Sequence, residues 1–250
     1  MPEVKIEVCA NSLESAVNAQ KGGAHRVELC ANLYEGGTTP SQGEISLARE
    51  KLQIDLNVLI RPRGGDFLYS KAEIEIIKRD IQFCKNTGVD GVVFGFLKAD
   101  GSIDTKLTAE LSRLAKPMSI TFHRAFDMSK NHEQALEELV ETGIDRVLSS
   151  GAANKAGEGL KLLQQLVQQA GDRIIVMPGA GINADNILEI IRKTEAKEYH
   201  VSERQLVPGK MTFKRQGIFM GGLPQIPEYE KRVIDAAGIE KIMHLVRKMK

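Results

Sequence analysis

Several features that would assign a protein to a special class are missing from this 250-residue sequence. Its 34 Lys and Arg nearly balance its 33 Asp and Glu, so it lacks the excess positive charge of a nucleic-acid-binding protein. No apolar run reaches the length of a membrane span, and the first residues lack a signal-peptide pattern. Three cysteines, an odd number, do not make a disulfide framework. We therefore expect a cytoplasmic protein with neither a nucleic-acid nor a membrane partner.

What the sequence does contain is an alternation of apolar strands and amphipathic helices along nearly its whole length. Strict alternation predicts parallel strands joined by helical crossovers, and eight repeats predict a single (β/α)8 barrel of the TIM type over residues 1–250. A doubly wound sheet is the alternative, but it usually has fewer strands. The predicted strands are 4–10, 26–31, 55–62, 91–97, 118–124, 146–151, 173–179 and 198–202. The predicted helices are 12–21, 41–52, 71–87, 104–115, 131–142, 156–170, 184–193 and 238–249.

The stretch between the last strand and the last helix departs from this alternation. Residues 203–237 carry repeated Gly and Pro and have no helix or strand pattern of their own. Irregular segments of this length in a compact domain are usually functional. We interpret the segment as a cover over one barrel mouth or as an oligomer contact, which would make the protein a homo-oligomer.

Alternation within each strand indicates which side chains enter the barrel. Successive side chains point to opposite faces, so when the apolar set faces the helices, the other set faces the interior. The interior positions by this rule are Glu7 and Cys9 in strand 1, Glu28 and Cys30 in strand 2, Arg61 in strand 3, His123 in strand 5, Ser149 or Ser150 in strand 6, and His200 in strand 8.

This interior is unusually polar for a barrel that is normally filled by Val, Ile and Leu. An isolated buried charge is costly, so these groups must pair with one another or serve a site. They lie late in their strands, at the end where barrel enzymes place their chemistry. We therefore predict an acid–base set, while a purely structural polar interior is the alternative. The candidate catalytic residues are Glu7, Glu28, His123, Asp127 and His200.

An arginine-rich turn follows strand 3 and contains Arg61 and Arg63. Guanidinium groups match carboxylate and phosphate geometry with paired N–H donors. Arg124 follows His123, and a Gly-rich turn at the start of a helix can present backbone amides to an anion. These features predict a small-molecule ligand that is anionic or sugar-like, whereas arginines that only hold a loop are the alternative. The candidate anion-binding residues are Arg61, Arg63, Arg124, Gly179 and Gly181.

Cys9 and Cys30 are the metal candidates. They face inward on adjacent strands, which lie about 4.8 Å apart, so their sulfurs are expected to be close. Two thiolates suit a soft ion such as Cu(I). The sequence has no CxxC spacing, and cysteines that only pack as small buried side chains are the alternative.

Five motifs are spread over essentially the whole chain: Glu28-Leu29-Cys30, Gly36-Gly37-Thr38-Thr39-Pro40-Ser41, Arg61-Pro62-Arg63-Gly64-Gly65-Asp66-Phe67, Thr121-Phe122-His123-Arg124-Ala125-Phe126-Asp127 and Met177-Pro178-Gly179-Ala180-Gly181. Together they resemble the CutC family. The resemblance implies a TIM-type barrel, a cytoplasmic location and a role in copper homeostasis with Cu(I) binding. Cys9 and Cys30 match cysteines in the N-terminal strands of that family, whereas Ala180 stands where the family usually has Gly. Read from the residues alone, an enzyme acting on a small anionic or sugar-like metabolite is the alternative.

Overall fold

The computed structural model describes residues 4–220 and 225–249. Over these residues, eight parallel strands alternate with eight α-helices, which confirms the predicted (β/α)8 barrel. The strands are β1 (Lys5–Ala10), β2 (Arg26–Leu29), β3 (Asp55–Leu59), β4 (Gly91–Phe94), β5 (Ser119–Phe122), β6 (Arg146–Ser149), β7 (Ile175–Pro178) and β8 (Glu198–Val201). The helices are α1 (Leu13–Lys21), α2 (Gln42–Lys51), α3 (Lys71–Thr87), α4 (Thr105–Ala115), α5 (His132–Glu141), α6 (Leu160–Ala170), α7 (Ile187–Thr194) and α8 (Ala236–Arg247).

Local sequence explains where most of these helices begin. The side chains of Ser12, Ser41 and Ser70 accept a hydrogen bond from the backbone N–H three residues later, and each therefore caps its helix. At the start of α3, Glu73 also accepts from the backbone N–H of Ser70 and completes a capping box. Two predicted starts were early, because α6 begins at Leu160 and α7 at Ile187.

The strands pair in parallel in the order β7-β6-β5-β4-β3-β2-β1-β8, and β8 packs beside β7 to close the barrel. The apolar set of each strand is buried against the helix layer, as predicted from the alternation. Gly179 lies where β7 approaches its neighbours, because a Cβ there would be 2.5 Å from Leu148 Cδ1 and 3.1 Å from His200 Cβ. A side chain at this position would therefore require Leu148 to shift.

The prediction that residues 203–237 lack regular structure was wrong in part. β9 (Arg204–Pro208) and β10 (Glu230–Ile234) pair antiparallel as a two-stranded ribbon. A long loop with Gly and Pro connects them instead of a tight turn, so the sequence carries no hairpin signal. Asn18 holds the ribbon to α1 by donating from Nδ2 to the carbonyl of Ile234. Residues 221–224 of the predicted segment lie outside the described residues, and the homo-oligomer stays a prediction.

No helix within the described ranges combines the length and the apolar character that crossing a bilayer requires.

Candidate binding site at the barrel mouth

Four charged side chains form a chain of ion pairs across the barrel interior, which we call the floor network: Glu7, Arg26, Glu198 and Arg146. Arg26 donates from Nε to Glu7 Oε2 at 2.5 Å and from Nη2 to Glu198. Arg146 donates from Nε to the same Glu198 oxygen, Oε2, at 2.6 Å. All four side chains are buried, so the pairing offsets the cost of removing the charges from water.

Three members of the floor network, Arg26, Arg146 and Glu198, were not among the interior positions predicted from the sequence. The interior position predicted for β6 also needs a correction. β6 turns Arg146 and Leu148 inward and Ser149 away from the interior, because Arg146 contacts Glu198 while the Ser149 hydroxyl donates to Asp127 outside the strand ladder. Ser150, just beyond β6, donates to the same Asp127 carboxylate. A signal was present, since Arg26 and Glu198 stand two residues before Glu28 and His200 and therefore share their inward parity.

Glu7 connects this floor to the mouth. Its Oε2 accepts from Arg26 and from Asn57 Nδ2, the latter at 3.0 Å, while its Oε1 lies 2.8 Å from His200 Nδ1. Burial alone would raise the pKa of Glu7, but Arg26 and His200 lower it below its ordinary value. Both oxygens of this carboxylate are therefore engaged by protein groups, and Glu7 orients His200.

The two predicted metal ligands meet as the strand parity requires. Cys9 Sγ and Cys30 Sγ lie 3.7 Å apart. Cys9 is near the end of β1, and Cys30 directly follows the adjacent strand β2. Their hydrogen bond lowers the pKa of the Cys9 thiol well below its usual range and raises that of Cys30. Burial lowers the pKa of His200, but Glu28 and hydrogen bonds to Cys9 and Glu7 outweigh it and raise that pKa. A Cys9 thiolate beside a His200 imidazolium is the state that these contacts favour.

Glu28 stands beside the thiols. One carboxylate oxygen of Glu28 and the two sulfurs all lie within 4.8 Å of one another, so they could share a metal ion. A second such group of potential metal ligands consists of Glu28, Glu7 and His200. Burial raises the pKa of Glu28 to about 8. Its Oε2 has no hydrogen-bond partner in the part of the chain that the structure describes. No ion pair joins Glu28 to Arg61 among the described residues.

His123 reaches the mouth from the end of β5. Its Nδ1 accepts from the backbone N–H of Ala125 at 3.1 Å, so the neutral ring carries its proton on Nε2. Gly95 makes room for the ring, because a Cβ there would lie 2.5 Å from His123 Nδ1. Burial and the charge of Arg61 lower the pKa of His123 to about 3, so the imidazole is neutral and Nε2–H is a donor.

Arg61 joins two of the loops that surround the mouth. Its Nη1 donates to the carbonyls of Glu35 and Gly37 at 2.8 and 2.7 Å, and its Nη2 donates to the carbonyl of Gly65 at 2.8 Å. Three of the five guanidinium N–H groups are thus bonded to the main chain. Its Nε has no partner within the described residues, and its guanidinium lies 5.2 Å from the centre of the Phe67 ring.

The other arginine of that turn is held by its own loop. Arg63 pairs with Glu73 at 2.5 Å and with Asp66 at 3.1 Å, and its guanidinium lies over the Tyr69 ring. Its anion-binding role stays a prediction, but its contacts are those of a side chain that fixes the loop between β3 and α3.

Arg124 and Asp127 belong to a short 3-10 helix, Arg124–Met128, that follows β5. Arg124 Nε donates to Asp127 Oδ2 at 2.8 Å, and both Asp127 oxygens also accept from Ser149 or Ser150. Ala152 adds another N–H at 3.2 Å. The carboxylate of Asp127 therefore organises the loop after β6, and its predicted catalytic role stays a prediction.

The turn after β7 differs from the predicted anion cradle. The N–H of Gly179 donates to the Ser149 carbonyl at 2.9 Å, and Gly181 has a positive φ of 69° and packs against Lys155. Because α7 begins only at Ile187, the amides of Gly179 and Gly181 do not lie at its N-terminus. This turn therefore lacks the helix-end geometry on which the prediction rested.

A cavity of about 670 Å³ lies at the carboxyl ends of the strands, and we call it the mouth cavity. One side carries Cys9, Glu28 and His200, and other parts of the wall carry Arg61 and His123. Its size lies in the range of small-molecule sites in proteins. Apolar wall residues are Leu59, Phe67, Leu97, Met128 and Leu148.

Comparison with known proteins gives one consistent family. The model of the CutC family matches residues 4–205. The chain is 46% identical over 243 residues to the family protein CutC of Chromobacterium violaceum, covering 97% of this chain and 98% of that one. It is 46% identical over 237 residues to the human copper homeostasis protein cutC homolog, covering 95% and 87%. The crystal structure of CutC from Streptococcus agalactiae aligns with a TM-score of 0.75 at 35% identity, covering 79% of this chain and 97% of that chain.

Proposed function

This chain belongs to the CutC family, and from that premise we propose that it takes part in copper homeostasis by binding Cu(I) through Cys9 and Cys30. The observation that carries the proposal is the pair of thiols in the barrel wall, 3.7 Å apart and free of disulfide bonding. Thiolate sulfur is the ligand that soft Cu(I) prefers.

The separation of the sulfurs also indicates how many ligands the ion would have. Two metal–sulfur bonds of about 2.3 Å in line would place the sulfurs about 4.6 Å apart. The observed 3.7 Å is shorter, so an ion held by both sulfurs would be bent and would leave space for a third ligand. Glu28, whose ligand oxygen lies within 4.8 Å of both sulfurs, is a candidate. His200, which contacts Cys9, is a second candidate, and its imidazolium would have to lose a proton to become a ligand.

The protonation of the pair makes binding dependent on pH. Cys9 already favours the thiolate, whereas the raised pKa of Cys30 keeps its proton on the sulfur. Cu(I) must displace that proton, because the thiolate is the ligand. Affinity for Cu(I) is therefore expected to increase with pH.

The test is a titration of the reduced protein with Cu(I) against a competing chelator, without oxygen. Cys84 supplies a matched control, because it is also a free buried cysteine but lies within α3. We expect Cys9→Ala and Cys30→Ala each to weaken Cu(I) binding at least tenfold and Cys84→Ala to leave it unchanged. Equal affinities for wild type and Cys30→Ala would remove the proposed site.

A reducing compartment suits this chemistry. Two adjacent thiols must remain reduced to bind the ion, and the cytoplasm keeps thiols reduced. We therefore propose a cytoplasmic location, which fractionation followed by immunoblotting tests directly.

A further inference from the structure

The mouth cavity is far larger than a copper ion requires. Its volume is about 670 Å³, and its walls extend from Cys9 to a separate region formed by Arg61, Phe67 and His123. The Phe67 ring contacts both polar groups, since its centre lies 5.2 Å from the Arg61 guanidinium carbon and 5.0 Å from the His123 ring centre. We call these three side chains the Arg61 face.

Both polar members of the Arg61 face have an unused hydrogen-bond donor. Arg61 and His123 are each only 5% exposed, yet Arg61 Nε and His123 Nε2 have no partner among the described residues. Buried polar atoms nearly always have a partner, so two such atoms in the wall of one cavity indicate a ligand that supplies acceptors.

The number of available donors indicates the class of that ligand. Three Arg61 N–H groups are bonded to carbonyls, and the Tyr69 hydroxyl lies beside Arg61 as a further acceptor, so one or two N–H groups remain, and His123 supplies one more. Two or three donors suit the two oxygens of a carboxylate better than the more numerous oxygens of a phosphate dianion. The Asp127 carboxylate in the same wall does not oppose an anion strongly, because Arg124 and serine hydroxyls already satisfy it.

The rest of the wall indicates what the carboxylate is attached to. Leu59, Leu97 and Leu148 are almost fully buried and line the cavity, and Phe67 offers an aromatic face. Apolar walls with a few convergent polar groups are typical of sites for small organic molecules.

We propose that the Arg61 face is a binding site for a small organic carboxylate with an apolar body, separate from the thiols. The carboxylate accepts from Arg61 Nε and His123 Nε2, and its apolar part lies against Phe67 and the leucines.

The experiment uses benzoate and phenylacetate as probes, with benzamide as a neutral analogue of benzoate, on reduced metal-free protein. Calorimetry measures affinity, and the ¹⁵N signal of His123 Nε2 locates the binding. We expect at least one of the two carboxylates to bind at least tenfold more tightly than benzamide and to shift the Nε2 signal. The absence of detectable binding by both carboxylates at millimolar concentrations, or equal affinity for benzamide, would overturn the proposal.

The variants separate this site from a structural role. His123→Asn removes Nε2–H but keeps a side-chain acceptor for the Ala125 N–H, since Asn is a favourable cap residue. We expect it to weaken carboxylate binding at least fivefold. His244→Asn, on the exposed side of α8, is the matched control and should bind as wild type does. Phe67→Leu is the second variant and should also weaken binding severalfold. Affinity equal to that of wild type in both His123→Asn and Phe67→Leu would contradict the proposed contacts.

Discussion

Removal of one charge from the floor network tests whether these buried ion pairs hold the barrel interior together. Glu198 receives hydrogen bonds from both Arg26 and Arg146, and all three side chains are buried. Burial would raise the pKa of Glu198, but Arg146 and Arg26 outweigh it and lower that pKa, so the group is charged. Glu198→Gln keeps the shape and one acceptor but leaves two buried guanidinium groups with a single carboxylate, that of Glu7.

The expected cost is large. Breaking a buried ion pair by removing one partner typically costs about 3–5 kcal/mol. Because Gln still accepts one hydrogen bond, we expect about 3 kcal/mol for Glu198→Gln. Native proteins are stable by about 5–15 kcal/mol, so the variant should fold but unfold at a clearly lower denaturant concentration.

Urea unfolding followed by circular dichroism measures this difference, and a double variant identifies its cause. Once Glu198 is neutral, Arg146 is an unpaired buried charge, so adding Arg146→Met should cost less than it does in wild type. We expect a coupling of at least about 1 kcal/mol. Asp172→Asn is the control, because the pair of Asp172 with Lys197 is exposed and the substitution should not change stability measurably. A loss below about 1 kcal/mol for Glu198→Gln, or strictly additive variants, would refute this account of the floor network.

Two further predictions concern the dependence of stability on pH. The pKa of His123 is lowered to about 3, so its contribution to the free energy of unfolding is fully present above pH 6.5 and is lost as the pH falls toward 3. The free energy of unfolding then changes by up to about 1.4 kcal/mol per pH unit. His123→Asn should reduce this slope, which urea unfolding between pH 4 and 7 measures. The pKa of Glu28 is raised to about 8, so its contribution to the free energy of unfolding is fully present below pH 4.5 and is lost as the pH rises toward 8. Glu28→Gln should therefore gain stability over wild type as the pH rises through that window, and a gap that stays constant with pH would contradict the assignment.

The sequence was sufficient for the fold and for the convergence of the thiols. Alternation of strands and helices predicted the barrel, and period-two parity predicted that Cys9 and Cys30 face one interior. The same rule, continued toward the start of each strand, would have included Arg26 and Glu198. A charged residue at the beginning of a strand resembles one at a solvated rim, so its partner becomes evident only in three dimensions.

Arg61 shows why the details of the site could not be predicted from sequence. Its arginine-rich turn indicated an anion clamp, but its main partners are carbonyl oxygens of Glu35, Gly37 and Gly65. Every residue has a carbonyl oxygen, so no side-chain pattern marks the ones that a guanidinium contacts. The ribbon of β9 and β10 was missed for a related reason, because its pairing depends on a long connection and not on turn residues.

The bonds of Arg61 also have an evolutionary consequence. Because one guanidinium is shared by the loop after β2 and the loop after β3, neither loop is free to change its length or path alone. Transplanting a single loop from a relative would leave buried N–H groups without acceptors, at a cost of about 1–3 kcal/mol for each. The two loops are therefore coupled through one side chain, and we expect a change of specificity at this mouth to require paired exchanges.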